Sequence, residues 1–239
     1  MAIDPRSFYD DYWAKRDRTR TEARSRERAA LTLDLLQAGL VRAGRLLDVG
    51  CGPGWTLEIF KAAGYEAVGL DAAGRAVDDA KSRGLDVRRI DLEREDPAAV
   101  LGGDARFDAV VALEVLEHVA DPLGILASLC RLLSDRGVLI VSLPNEVTLP
   151  ARMRILGGRL PFGGHADPHL RHFDRAGALR LFEAAQLRVK EERRVSLLPP
   201  RWKALRALTA LLPRFFPGLF ALATLFLVVP KELQSSDAK

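Results

Sequence analysis

A short apolar run that ends in three closely spaced glycines is the strongest constraint on the fold. Residues 46–49 read Leu-Leu-Asp-Val, and glycines follow as Gly50, Gly52 and Gly54. Glycine tolerates positive φ and leaves room for a ligand to approach the backbone. The pattern predicts a buried strand, a ligand-binding turn and a helix from Trp55, which is the arrangement at which open α/β sheets bind cofactors.

The glycine spacing separates this turn from the phosphate-binding turns. A dinucleotide turn requires G-x-G-x-x-G, whose third glycine lets the following helix pack closely. Here Trp55 occupies that third position. The sequence also contains no G-x-x-x-x-G-K-[ST] motif. Asp48, directly before the turn, favours a cationic ligand over a diphosphate.

Acidic residues also end the next two apolar runs. Asp71 follows residues 67–70, and Asp91 follows residues 87–90. Because the carboxyl ends of parallel strands meet at one edge of a sheet, we expect Asp48, Asp71 and Asp91 to face one crevice.

These residues together resemble the class I S-adenosylmethionine-dependent methyltransferases. The resemblance implies a Rossmann-like, seven-stranded α/β sheet with helices on both faces and S-adenosylmethionine as cofactor. In that family the acid ending the second strand binds the ribose and an acid after the third strand lies near the adenine, roles that here fall to Asp71 and Asp91. The cofactor-binding residues implied are Asp48, Gly50, Cys51, Gly52, Gly54, Asp71, Asp91, Leu92 and Leu113.

Strand-like and helix-like segments alternate along most of the chain, which predicts a parallel sheet covered by helices. Helices are predicted at about 8–40, 55–63, 74–83, 122–133, 175–185 and 201–212, and strands at about 45–49, 66–70, 86–90, 107–113, 137–143, 187–196 and 219–229. We expect an N-terminal helical cap at 1–40, a methyltransferase domain at 41–232 with an inserted lid at about 145–174, and a tail at 233–239.

The apolar segment Phe215 to Val229 has two interpretations. It is shorter than the roughly 18 apolar residues that a bilayer span needs. The first interpretation is a buried antiparallel strand beside the fifth strand, as the methyltransferase family has there. The second is peripheral membrane contact through Trp202, Phe215 and Phe216 beside basic residues.

The run from Glu114 to His118 resembles the fourth motif of the ubiquinone-biosynthesis O-methyltransferases. That subgroup carries a Glu-x-x-Glu-His sequence after its fourth strand, and Glu114, Glu117 and His118 match it. The resemblance implies either a divalent metal held by these three residues or a general base at His118 assisted by Glu117. A third alternative is that Glu117 and His118 only fix the loop.

The predicted lid resembles a second family, the methionine-biosynthesis protein MetW and its relatives. That resemblance implies, as the alternative function, a methyltransferase-fold partner protein without independent turnover. His169, Arg171 and His172 in the lid, and Tyr12 and Trp13 in the N-terminal aromatic patch, are the predicted substrate contacts.

Composition is consistent with a compact enzyme. The chain has 239 residues, a formal net charge of +4 and only two cysteines, which exclude a disulfide framework. We expect a cytoplasmic enzyme that methylates a small molecule on oxygen and that has no nucleic-acid partner, because no added binding domain is evident. The sequence leaves the acceptor and the oligomeric state open.

Overall fold

The computed structural model describes residues 9–10, 13, 17–39, 41–160, 169–199, 201–209 and 211–231. The helices are α1 (Arg18–Ala38), α2 (Trp55–Ala62), α3 (Gly74–Ser82), α4 (Pro97–Leu101), α5 (Pro122–Cys130), α6 (Leu149–Leu156), α7 (Arg175–Ala184), α8 (Lys203–Leu208), α9 (Leu212–Phe215) and α10 (Pro217–Phe220). The strands are β1 (Gly44–Val49), β2 (Tyr65–Asp71), β3 (Val87–Arg89), β4 (Phe107–Leu113), β5 (Leu133–Pro144), β6 (Leu187–Ser196) and β7 (Ala221–Pro230), and a 3₁₀ turn covers Leu116–His118.

The seven strands form one sheet in the order β3-β2-β1-β4-β5-β7-β6. Strands β1 to β5 are parallel, whereas β7 is antiparallel to both β5 and β6. The Rossmann-like α/β sheet is therefore confirmed. The strand order reverses between β1 and β4, and open α/β sheets bind their ligands at such a point.

Each face of the sheet carries its own apolar core. Leu46 belongs to the cluster that includes α1 and α2, whereas its neighbour Leu47 belongs to the cluster that includes α5 and α7. Successive residues of a strand point to opposite faces, so a sheet that is covered on both sides needs continuous apolar strands. This is why β4 and β5 contain the continuous apolar runs 109–113 and 138–141.

Aspartates fix the starts of four helices. The carboxylates of Asp17, Asp96, Asp121 and Asp174 each accept a hydrogen bond from a backbone N–H in the first turn of α1, α4, α5 and α7. An N-cap of this kind typically stabilises a helix by about 1 kcal/mol. The cap shows that α1 begins as a separate helix at Arg18, and the described residues Tyr9, Asp10 and Trp13 before it are also helical.

The carboxyl-terminal third differs from the prediction in its helices but not in its strands. The buried-strand interpretation is confirmed, because β7 lies between β5 and β6. The single helix predicted at 201–212 is wrong. Three short helices, α8 to α10, replace it, and Pro213 and Pro217 stand in the first turns of α9 and α10. Proline has no N–H to continue a preceding helix.

Two further helices were not predicted. Helix α4 has only one turn, which is too short for a periodic pattern, and α6 lies inside the segment predicted as a lid. The tail at 233–239 lies outside the described residues, and the division into cap, domain and tail stays a prediction.

Candidate active site

A cavity of about 950 Å³ opens at the carboxyl ends of β1, β2, β3 and β4. It lies where the strand order reverses, and α1 forms one of its walls. Eight of the nine predicted cofactor-binding residues line it: Asp48, Gly50, Cys51, Gly52, Asp71, Asp91, Leu92 and Leu113. The structure thus brings the acids of three strand ends to one place.

The glycine turn presents bare backbone to the cavity. The N–H groups of Gly50 and Cys51 donate to the Leu70 carbonyl at 2.7 and 3.1 Å, which fixes the turn against β2. Gly52 has a φ of +54°, and a Cβ placed there would come within 2.7 Å of the Trp13 ring. A side chain at position 52 would therefore collide with the Trp13 ring, which lies over the turn.

Gly54 has a different position from the one predicted. It is the N-cap of α2, with φ of +86°, and it does not line the cavity. A Cβ at this position would collide with the side chain of Leu85. Gly54 therefore allows α2 to pack against the segment before β3, and the prediction that it contacts the cofactor is not supported.

Asp71 is a buried acceptor at the end of β2. Its Oδ2 accepts from the Gly52 N–H at 2.7 Å, and its Oδ1 accepts from the Ala73 N–H at 2.8 Å. Burial raises the pKa of this carboxyl, although the two N–H groups oppose the shift. An ionised carboxylate offers about four lone-pair sites, so two more donors, such as the hydroxyls of a ribose, can be accommodated.

Asp91 carries a buried oxygen that still needs a donor. Its Oδ1 accepts from the Glu93 N–H at 3.1 Å, whereas its Oδ2 has no hydrogen-bond partner among the described residues. Arg94 Nε lies 3.7 Å from Oδ2, beyond hydrogen-bond distance. A buried acceptor without a donor destabilises the fold, so a ligand that supplies an N–H here would be bound favourably. The exocyclic amino group of an adenine is a donor of this kind.

Asp48 lies beneath the turn and is fully buried. The Thr56 hydroxyl donates to its Oδ2. Burial, with a smaller effect from Asp71, raises the pKa of Asp48 to about 7. A cation bound in the cavity would favour its ionised form, since an opposite charge nearby stabilises a carboxylate.

The other end of the cavity holds a carboxylate and two imidazoles. Glu117 is fully buried, and within the described chain neither of its carboxylate oxygens has a hydrogen-bond partner. Burial first, and the charge of Glu114 second, raise its pKa well above the usual range. His118 Nε2 lies 3.8 Å from Glu117 Oε1, and the His118 and His169 rings meet edge-on with centroids 4.9 Å apart.

The last part of the predicted lid is bonded to this end of the cavity. The N–H groups of Leu170 and Arg171 donate to the Glu117 carbonyl at 2.8 and 3.0 Å. His169 Nδ1 lies 2.8 Å from Glu146 Oε1. Because a carboxylate accepts from an Nδ1–H, Glu146 holds the His169 ring against His118.

Glu146 was not predicted as a site residue, although a signal for it was present. It follows the end of β5 by two residues, as Asp91 follows β3 by two. Its second oxygen bonds His172 Nδ1. The same argument from strand ends that found Asp71 and Asp91 would have found it.

The predicted metal ligands are only partly brought together. Glu114 has a positive φ of 58°, and its carboxylate pairs with Arg28 at 2.8 Å and accepts from the Ser142 hydroxyl at 2.7 Å. In the described chain, the groups of potential metal ligands are Glu117–His118–His169 and Glu146–His169–His172, and neither contains Glu114. Its pairing with α1 removes Glu114, and His169 takes its place beside Glu117 and His118.

Only some of the predicted substrate contacts reach the cavity. Trp13 and His169 line the cavity, whereas Arg171 and His172 do not. The Arg171 guanidinium instead bonds the Ala120 carbonyl, and His172 is held by Glu146. Direct contact by Arg171 or His172 is therefore not supported, and Tyr12 lies outside the described residues.

Tyr9 is a cavity residue that the predicted set did not include. Its ring meets that of His118 edge-on at 6.0 Å. Burial first, and the charge of Glu117 second, raise the pKa of its phenol, which keeps the hydroxyl neutral. It belongs to the aromatic patch that suggested Tyr12 and Trp13, but one sequence cannot show which members of such a patch face inward.

Comparisons with known proteins agree with this geometry. A family model described as a methyltransferase domain matches residues 16–192. The ubiquinone biosynthesis O-methyltransferase of Cereibacter sphaeroides is 38% identical over 130 residues, which cover 51% of each chain. That of Xanthomonas oryzae pv. oryzae is 36% identical over 143 residues, 56% of this chain and 59% of the relative. This chain thus matches between half and three fifths of the length of these relatives.

A solved structure has the same fold. The magnesium protoporphyrin IX methyltransferase of Synechocystis PCC 6803, with bound S-adenosylhomocysteine, has a TM-score of 0.64 at 15% identity, over 94% of this chain and 97% of that one. Fold, glycine turn and strand-end acids define the class I S-adenosylmethionine-dependent methyltransferases. The chain belongs to the methyltransferase family whose domain spans residues 16–192.

The alternative function, a MetW-like partner protein, receives no support from these comparisons. Within the described ranges, the helices are all too short or too polar to span a bilayer. The cytoplasmic location stays a prediction.

Proposed function

We propose that this protein transfers the methyl group of S-adenosylmethionine to a hydroxyl group of a small acceptor, in particular a phenol or catechol. The observation that carries the proposal is the shared cavity. A glycine turn with strand-end acids lines one end, and a buried carboxylate with two imidazoles lines the other. The names of the relatives, which are O-methyltransferases, support oxygen as the accepting atom.

The first end fits the cofactor. Asp71 has lone pairs for two ribose hydroxyls, Asp91 Oδ2 needs a donor, and Gly52 lets the Trp13 ring lie directly against the turn. When bound, S-adenosylmethionine supplies a methyl group activated on a sulfonium. The chain's main contribution is then to hold two reactants in line and exclude water, which can supply on the order of 7–11 kcal/mol.

The second end fits an acceptor that must lose a proton. We assign the general base to His118, because it lines the cavity and its Nε2 lies 3.8 Å from Glu117 Oε1. A proton taken up by this imidazole would in turn favour the ionised form of Glu117, whose pKa burial raises, and the two groups would then pair. His169, held by Glu146, fixes the position of the His118 ring, and Tyr9 and Trp13 close the cavity from the N-terminal side.

A divalent cation is the alternative way to activate the hydroxyl. One ligand atom from each of Glu117, His118 and His169 lies within 4.8 Å of the others, so this donor set fits a cation. A cation there would act as a Lewis acid and lower the pKa of an acceptor hydroxyl. The base and the metal are distinguished by a chelator, which silences only a metal-dependent enzyme.

The proposed function is tested by incubating the purified protein with methyl-labelled S-adenosylmethionine and a panel of phenols, catechols, amines and thiols. We expect label in an O-methyl ether. Transfer only to amines or thiols would contradict the oxygen assignment. Binding of S-adenosylhomocysteine without transfer to any acceptor would contradict the enzymatic role.

A further inference from the structure

Exposed apolar side chains are concentrated in two segments. Of the fourteen large hydrophobic residues that are exposed in the described part of the chain, all but Leu123 lie within 147–170 or 202–216. Leu156 and Leu160 in the first segment are each 80% exposed, and Leu208 in the second is 83% exposed. Large exposed apolar patches on a folded protein mark interaction sites rather than chance exposure.

The two segments adjoin each other in the fold. Helix α6 of the first segment contacts α10, which directly follows the second segment. The Asn145 side chain, which precedes α6, donates to the carbonyls of Pro217 and Ala221 at 3.1 and 2.8 Å. We call the exposed apolar and basic residues of α6, α8 and α9 and of the chain around them the apolar–basic face.

Within the second segment the apolar residues recur at helical spacing. Trp202, Leu205, Leu208, Leu211 and Phe215 stand three or four positions apart, and all five are exposed. Residues 209 and 211, between α8 and α9, are not helical, so the five side chains do not form one continuous helix face. Neither α8 nor α9 buries any residue, and all five side chains lie on the surface.

Most ionisable residues of the two segments are basic, and Asp167 is the one acidic residue in their sequence. The sequence has no Asp or Glu from residue 193 to residue 231, or from residue 147 to residue 160. Arg206 pairs with Glu27 of α1. In the described chain no ion pair to a carboxylate is found for Arg152, Arg154, Arg201, Lys203 or Arg214.

The structure assigns this apolar–basic face to docking on an anionic phospholipid bilayer, with its aromatic and leucine side chains in the headgroup region. Exposed apolar side chains flanked by basic ones bind such interfaces through buried apolar area and through attraction to anionic lipids. A second copy of the chain fits less well, because it would bring two uniformly basic surfaces together. The docking does not depend on the proposed methyl transfer.

Docking would place the membrane near the mouth of the cavity. Arg24 of α1 lines the cavity and donates to the carbonyls of Ser196 and Leu197, directly before the second segment. Leu222, two residues after α10, also lines the cavity. An acceptor that partitions into the bilayer would then reach the site from the lipid side.

The test is co-sedimentation of the full chain with vesicles of phosphatidylcholine alone and of phosphatidylcholine mixed with phosphatidylglycerol. We expect binding to the mixed vesicles that weakens at high salt, because screening removes the electrostatic part. Reversing Arg214 to Glu should lower the partition coefficient on the order of tenfold, since each basic residue near an anionic surface contributes about fivefold. Reversing Arg136, which is exposed near the start of β5 and outside both segments, is the matched control and should change the partition coefficient little.

The apolar part of the docking is tested with a double variant that carries Leu208→Glu and Phe215→Glu. The control is Leu123→Glu, at an exposed leucine of α5 outside both segments. The double variant should lose at least about tenfold in partition, and Leu123→Glu should bind as wild type does. Brominated lipids should quench Trp202 fluorescence, and Trp202→Phe should abolish that quenching.

The proposal is overturned if wild type does not bind mixed vesicles, or if the variants and their controls bind equally. It is also overturned if wild type is a dimer that Leu208→Glu dissociates, because a second copy would then cover the face. Unchanged binding of S-adenosylhomocysteine by the docking variants would show that they are folded.

Discussion

The two ends of the cavity are built in different ways. The cofactor end consists of backbone and of acids that stand directly at the ends of β1, β2 and β3, so each element is local in sequence. The acceptor end gathers residues that are far apart, since Glu117 and His118 follow β4 whereas Glu146 and His169 stand near the two ends of the predicted lid. A sequence motif is therefore enough to predict the cofactor end, whereas the acceptor end forms only when distant segments pack together.

The largest expected effect is at the glycine turn. Gly52→Val places a branched side chain at a φ of +54°, against the ring of Trp13. We expect affinity for S-adenosylmethionine to fall by about 100-fold or more. Gly64→Val is the control, because it has a φ of +93° but nothing within 4 Å of its Cβ. Calorimetry that finds equal affinity in both variants would break the account of the cofactor end.

At the acceptor end, His118→Ala should leave cofactor affinity unchanged and lower the rate of methyl transfer by roughly 10²-fold, because a general base typically contributes that much. Activity in wild type should rise with pH as the imidazole loses its proton, and this dependence should flatten in the variant. Wild-type turnover by His118→Ala would show that the residue is structural. Loss of activity in EDTA that a divalent ion restores would instead favour the metal alternative.

Asp48 should make folding stability depend on pH. Its pKa is about 7 in the folded protein against a reference value of 3.8. Between these values the folded state binds more protons than the unfolded state, so stability falls as pH rises and levels off above 7. From pH 5 to 7 the free energy of unfolding should drop on the order of 2 kcal/mol more in wild type than in Asp48→Asn. Urea unfolding curves that are parallel for the two proteins would contradict the buried, neutral Asp48.

Asp71→Ala should weaken binding of S-adenosylmethionine by about tenfold or more, because hydrogen bonds to charged groups are typically worth about 1.5–3 kcal/mol. Glu66→Ala, on an exposed position of the same strand, is the control. Equal affinities in titration calorimetry would remove the ribose assignment and weaken the contrast between the two ends.

The smallest effect is expected at His172. This side chain holds Glu146 from the solvent side and does not line the cavity. His172→Ala should change KM for the acceptor by less than about threefold, since a hydrogen bond typically contributes about 1 kcal/mol or less. His169→Ala should lower the rate at least tenfold, because His169 lies in the cavity. A larger loss of activity in His172→Ala than in His169→Ala would contradict the account in which His169 lies in the cavity and His172 only supports Glu146.

The sequence predicted the sheet and the cofactor end because their signals are local. The alternating apolar runs, the positive-φ glycines and the acids at strand ends each depend on a few neighbouring residues. The exchange of Glu114 for His169 could not be predicted, because it depends on the pairing of Glu114 with Arg28, 86 positions earlier. The position of Gly54 outside the cavity could not be predicted either, because a glycine required for helix packing looks the same in sequence as one required for ligand space.

The central claim is that the two ends of one cavity bind cofactor and acceptor. It is tested most directly by a crystal structure with S-adenosylhomocysteine. The account predicts the ribose hydroxyls on Asp71, the adenine amino group at Asp91 Oδ2, and the sulfur facing the cluster of Glu117, His118 and His169. A ligand whose adenine lies against His118, or that binds outside this cavity, would contradict the account.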